Sequence, residues 1–152
     1  MKIELERIND AVFLEARNDA GNKVFMDGSP DIGGQNLGAR PMEVVLMALA
    51  GCTSMDMLSM LKKMREEIRS YKVTVDAERA EEDTKVFTKI HVHYILQGNV
   101  NEKNVERAIQ LSMDKYCSVT HMLNKTAEIT HSYEIHHITQ PDNTDAVKIT
   151  DY

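Results

Sequence analysis

ARPMEVVLMALAGCTSMDMLSMLKK, residues 39–63, decides the fold. Pro41 suits the first position of a helix, where a missing N–H costs nothing, and Glu43 suits the positive first turn. Lys62, Lys63 and Arg65 suit the opposite end, so the spacing predicts one helix from Pro41 to about Glu67. Between Val44 and Leu61 apolar residues run almost all the way round, the pattern of a helix covered on most sides. A chain of 152 residues rarely encloses so long a helix by itself. Packing on a symmetry mate would cover it, and Ala48, Ala50 and Gly51 would allow close approach. The sequence therefore predicts a homodimer built around this helix.

Upstream of the helix the pattern is that of strands. Ile3 and Leu5 alternate with charges, Val12, Leu14 and Ala16 alternate with Phe13 and Glu15, and Asn9-Asp10 and residues 19–22 supply turns. Residues 28–38, GSPDIGGQNLG, hold four of the seven glycines and form a loop. Downstream, Tyr71, Val73, Val75 and Ala77 share one strand face, and Ile90, Val92, Tyr94 and Leu96 share another. The charged AEEDTK between them is a solvated turn. Asn101 is placed to cap a helix through about Tyr116, with Val105, Ile109 and Met113 at four-residue spacing. A break near Cys117 precedes a short second helix. Alternation returns from Thr126 to Ile138, with Ala127, Ile129, Tyr133 and Ile135 on one face. Residues 1–137 read as one α+β domain, and residues 138–152 as a polar tail.

Composition narrows the function. A net charge of -6 and a pI near 5.5 argue against nucleic acid or an anionic membrane as partner, since either would favour a basic face. MKIELERIND lacks the apolar core of a signal peptide, and the uninterrupted apolar run Val44–Cys52 is short of a membrane span. The expectation is a soluble, cytoplasmic protein. In that compartment two cysteines are unlikely partners in a permanent disulfide, because the cytosol keeps thiols reduced.

Cys52 stands in the helix and Cys117 in KYCSVTHML. A lone cysteine on a buried helix is ordinarily packing. Cys52 lies about three turns into its helix, beyond the reach of the positive N-terminus, and burial alone would make it inert. If it reacts, its activation comes from another segment. Cys117 falls between two helices, where backbone N–H groups can lower a thiol pKa, and His121 follows it by one turn.

PMEVVLMALAGCTSMDMLSMLKKMR resembles the central helix of the OsmC/Ohr family (osmotically inducible protein C and organic hydroperoxide resistance protein), and YCSVTHML is similar to that family's second cysteine motif. The PMExVLMALAGC variant is nearest a less characterised OsmC-like branch. The resemblance covers roughly residues 1–137. It implies an OsmC-like α+β fold, with antiparallel sheets around a long buried central helix in an intertwined homodimer. It implies a thiol peroxidase that reduces organic hydroperoxides to alcohols without a cofactor or metal. By it, Cys52 attacks the O–O bond and becomes a sulfenic acid, Cys117 resolves this as a disulfide, and a dithiol such as dihydrolipoamide reduces the pair. Arg17 would activate the thiolate, with Arg40 as the other candidate, and an acid near the helix start would hold the arginine.

Where the peroxidases place that acid, this chain has Met42. Glu43 comes one residue later, about 100° round the helix. Met42, Met47 and Met55 are the expected lining of a greasy substrate site. The displaced acid keeps a second reading open, a non-enzymatic redox sensor or a binder of small apolar molecules. His91, His93, His136 and His137 raise a remote third, zinc binding, though no C-x-x-C or H-E-x-x-H spacing accompanies them.

Overall fold

The computed structural model describes residues 1–138, so the expected tail falls outside the described residues apart from Ile138. The chain divides into two compact units, Met1–Cys52 and the residues from Thr53 onward. The division falls inside the central helix, and each unit is taken by itself.

The first unit opens with β1 (Ile3–Arg7), β2 (Leu14–Asn18) and β3 (Lys23–Met26), an antiparallel meander in that order. The register puts Leu5, Ala16 and Val24 in line on one face, and Glu4, Arg17 and Lys23 on the other. On the apolar face Ile3, Leu5 and Val24 remain exposed in this chain. The glycine-rich loop then winds around Asp27, a buried carboxylate that accepts from the N–H groups of Gly28, Gln35 and Leu37 at 2.7, 2.9 and 3.0 Å. Those bonds, that from Leu37 first, hold the Asp27 carboxyl below its ordinary range. Gly34 is required by close approach, since a Cβ there would meet the Gly28 carbonyl oxygen at 1.8 Å.

Helix α1 spans Pro41–Lys63. Glu43 closes its N-terminus, its carboxylate accepting from the Arg40 N–H at 2.8 Å in the manner of a capping box. The helix stops at Lys63 rather than near Glu67. Arg65 turns left-handed (φ 61°), and the Arg65 and Glu66 N–H groups return to the carbonyls of Lys62 and Leu61, a Schellman closure. A buried stripe runs along α1 through Leu49, Thr53, Met57 and Leu61, at one residue per turn. Met47, Met55 and Leu58 stay exposed, so this chain alone does not cover the helix all round. By length and composition α1 could also cross a membrane, with mean hydropathy 1.7 and 22% of the apolar window buried. The shorter Val44–Cys52 run understated its apolar length.

The second unit is a sheet ordered β4-β5-β6, with β4 at Glu67–Arg79, β5 at Phe87–Asn99 and β6 at Glu128–His136. Strands β4 and β5 form a long antiparallel hairpin, whereas β6 pairs with β5 in parallel. This corrects the purely antiparallel expectation. The reason is the connection: a parallel neighbour needs a crossover of a dozen or more residues, which α2 (Glu102–Leu111), a π-helical turn (Ser112–Tyr116) and α3 (Ser118–Leu123) supply. Asn101 caps α2 as expected, accepting from the Lys103 N–H at 3.0 Å. The core gathers Ile90, Val92, Tyr94 and Leu96 of β5, Met57 and Leu61 of α1, and Val105, Ala108 and Ile109 of α2.

Candidate functional site

Cys117 sits where the π-helical turn ends, fully buried, as the N-cap of α3. Its sulfur accepts from the Thr120 N–H at 3.4 Å. π-Turns widen a helix by one residue and recur at functional positions. Here the turn buries Ser112 and Met113 and delivers the thiol immediately after itself.

Asp56 brings a carboxylate to that thiol. It is the one charged residue between Val44 and Leu61. A carboxylate oxygen lies within 4.8 Å of the Cys117 sulfur. The buried Ser112 hydroxyl donates to Asp56 Oδ2 at 3.2 Å and also faces the Thr53 carbonyl at 3.5 Å. Tyr94 closes the group from β5. Its hydroxyl meets Met113 Sδ at 3.8 Å, and Thr120 Oγ1 donates to the same sulfur at 3.8 Å. Burial pushes the Tyr94 phenol up to about 12; a hydrogen bond with Thr53 opposes that, while Cys117 and Asp56 add to it. Tyr94 is thus a neutral hydroxyl at any physiological pH.

Cys52 is half-buried on α1, one turn before Asp56 and on the same helix face. The residues expected to activate it are held by other partners. Arg17 lies on the charged face of the first sheet, where its guanidinium pairs with Glu6 and, at 3.6 Å, with Glu15. Its Nε is buried without a hydrogen-bond partner. Arg40 donates to the Asp27 carbonyl at 3.2 Å and to Asn36. Glu43 is engaged in the helix cap. Among the described residues, no hydrogen bond or ion pair joins Arg17 to Glu43.

A cavity of about 420 Å³ opens beside Asp56, lined also by Met60, Lys63, Met64, Arg107 and Tyr116. None of Met42, Met47 and Met55 lines it, and the last two are exposed. His91 and His93 are occupied elsewhere. Both ring nitrogens of His91 stand 2.7 Å from hydroxyls of Thr130 and Ser132, and His93 Nδ1 lies 2.7 Å from Ser132. Those contacts tie β5 to β6 across the outer face and leave these rings poorly placed as ligands.

Sequence reasoning missed Asp56, Ser112 and Tyr94. Asp56 had a visible signal, a lone acid inside an apolar helix, four residues after a cysteine. Ser112 and Tyr94 had none.

A family model described as OsmC-like protein matches residues 33–132, the stretch that carries both cysteines. The chain belongs to the OsmC-like family. Protein YhfA of Escherichia coli K12 is 38% identical over 136 residues, covering 89% of this chain and 98% of its own length. A crystal structure of a hypothetical protein from Aquifex aeolicus VF5 superposes with a TM-score of 0.79 at 29% identity, covering 90% of this chain and 96% of that one. An organic hydroperoxide resistance protein OsmC from Legionella pneumophila shares the fold, with TM-score 0.65, 12% identity and coverage of 88% and 97%.

Proposed function

We propose that this OsmC-like protein is a cytoplasmic thiol peroxidase that reduces organic hydroperoxides, with Cys52 as the attacking thiolate and Cys117 as the resolving thiol. The observation that carries the proposal is Asp56. It stands within 4.8 Å of the Cys117 sulfur and one helical turn after Cys52. Cys52–S⁻ attacks one peroxide oxygen and the O–O bond breaks. The attacked oxygen stays on sulfur as the sulfenic acid, and the other leaves with a proton as the alcohol. Cys117–SH then displaces the sulfenic hydroxyl as water, forming the disulfide. A dithiol such as dihydrolipoamide reduces the pair and leaves as its own disulfide.

The apolar part of the cavity, Met60, Met64 and Leu111, favours an organic peroxide over hydrogen peroxide. Met42, Met47 and Met55 contribute through the homodimer that the apolar exposed stretch of α1 favours. Arg17 and Glu43 keep their proposed roles only if they leave their present partners when substrate binds.

That engagement favours a second reading, a redox sensor or apolar-ligand binder that does not turn over. One experiment separates the two. Reduced protein is mixed with stoichiometric cumene hydroperoxide, followed by intact mass and thiol counting, and turnover is assayed with dihydrolipoamide. The peroxidase loses two hydrogens rapidly, turns over, and does neither as Cys52→Ser. Oxidation no faster than that of free cysteine overturns it, and fast oxidation without turnover selects the sensor.

A further inference from the structure

Cys117 has no route to water of its own, being fully buried. A thiol attacking a sulfenic acid must lose its proton, and a buried one can pass it only to a neighbouring base. Resting on the proposed peroxidase chemistry, we propose that Asp56 is the proton acceptor for Cys117 and that the cavity beside Asp56 connects this otherwise closed thiol to solvent.

Three features place the carboxylate for this task. Its oxygen is within 4.8 Å of Cys117 Sγ, a separation that a small rotation or one intervening water closes. Ser112 holds Oδ2 at 3.2 Å, which leaves Oδ1 as the oxygen free of that bond. Asp56 is half-buried and lines the 420 Å³ cavity, so it has both the thiol and solvent within reach.

The step balances. Cys117–SH gives its proton to Asp56 as its sulfur bonds to Cys52; the S–O bond of the sulfenic acid breaks, and the departing hydroxide takes the proton from Asp56 to leave as water. Sulfur of Cys52 is reduced and that of Cys117 oxidised, so no outside electron is needed. The titratable groups around Asp56 are Cys52 and Lys63 on α1, Tyr94 on β5, Arg107 on α2, and Cys117 and Tyr116 at the π-helical turn.

The test is single-turnover kinetics on the full chain. Peroxide-treated protein is quenched with dimedone and alkylating reagent, and mass spectrometry follows sulfenic acid and disulfide separately. In Asp56→Asn the rate of sulfenic acid formation is measured separately, so that closure is read only from sulfenic acid already formed. This variant should close the disulfide about 100-fold more slowly at neutral pH, the lower end of what a placed base contributes. Its closure should become proportional to hydroxide, whereas Asp56→Glu restores most of the rate. Closure at the wild-type rate with an unchanged pH profile overturns the proposal.

A second arm does not depend on peroxide. A thionitrobenzoate mixed disulfide is placed on Cys52, and release of thionitrobenzoate reports attack by Cys117. If peroxide gives no sulfenic acid in the wild type, the peroxidase reading fails while this arm still tests Asp56. Release equally fast in Asp56→Asn, or no release even from the wild type, refutes the role of Asp56. Matching urea midpoints of the two variants exclude a folding defect, and a large drop confined to Asp56→Asn transfers the decision to Asp56→Glu, whose slow closure would overturn the proposal.

Discussion

The Ser112 hydroxyl donates to the Asp56 carboxylate across 3.2 Å, tying the start of the π-helical turn to the middle of α1 over 56 positions of sequence. Ser112 is fully buried and Asp56 is not, so loss of the hydroxyl leaves a carboxylate that water can partly re-solvate. Ser112→Ala is expected to cost about 1–2 kcal/mol, toward the lower part of the range for bonds to charged groups. Urea unfolding at neutral pH measures it. A loss below the resolution of that method would show that the bond does not hold the two elements together.

Asp27 makes the glycine-rich loop sensitive to acid. Its folded pKa is depressed by N–H groups of Leu37, Gln35 and Gly28, so its contribution is complete above the ordinary carboxylate value of 3.8. The contribution is lost as pH falls through the lower folded value. Amide exchange at Gln35 and Leu37 should stay slow, relative to its intrinsic rate, from neutral pH down to about 4. Protection should fall below that, and Asp27→Asn should weaken it at neutral pH and remove its loss in acid.

Leu61 ends the buried stripe of α1 and is completely covered. Leu61→Ala removes its side chain from a core that can relax only in part. A loss of about 2–5 kcal/mol is expected, read as a lower urea midpoint with an unchanged slope. Met55, on the same helix, is 75% exposed, and Met55→Ala should change the stability of an isolated chain by less than about 0.5 kcal/mol.

Exposed apolar residues also make the oligomeric state testable. Ile3, Leu5 and Val24 lie uncovered on one sheet face, and Met47, Met55 and Leu58 on the helix. Sedimentation at micromolar concentration should give a homodimer, and Met55→Glu should shift it toward monomer, since a buried unpaired carboxylate opposes association. A wild-type monomer under the same conditions would remove the dimer from the proposed site.

Loss of the resolving thiol has its own signature. Cys117→Ser should keep the first oxidation of Cys52 but stop at the sulfenic acid, which then advances to sulfinic acid under excess peroxide. Mass spectrometry distinguishes this from the wild-type disulfide. Unchanged turnover in the variant would show that reductant attacks the sulfenic acid directly.

The sequence by itself determined what depends on neighbours along the chain. The α1 start at Pro41, the Asn101 cap, the four-residue spacing of Val105, Ile109 and Met113, the break at Cys117 and the alternation of β5 are all local periodicities and caps. So was the membership implied by the two cysteine motifs. The end of α1 was displaced because Arg65, a residue with no special preference for a left-handed turn, closes it. Tertiary structure alone decided that β6 runs parallel to β5, because a long helical connection permits either direction of return. It also decided that Arg17 spends its charge on Glu6 and Glu15, and that Asp56 faces Cys117. Each of those choices depends on which distant group a long side chain meets once the backbone has folded, and spacing in sequence carries no record of that.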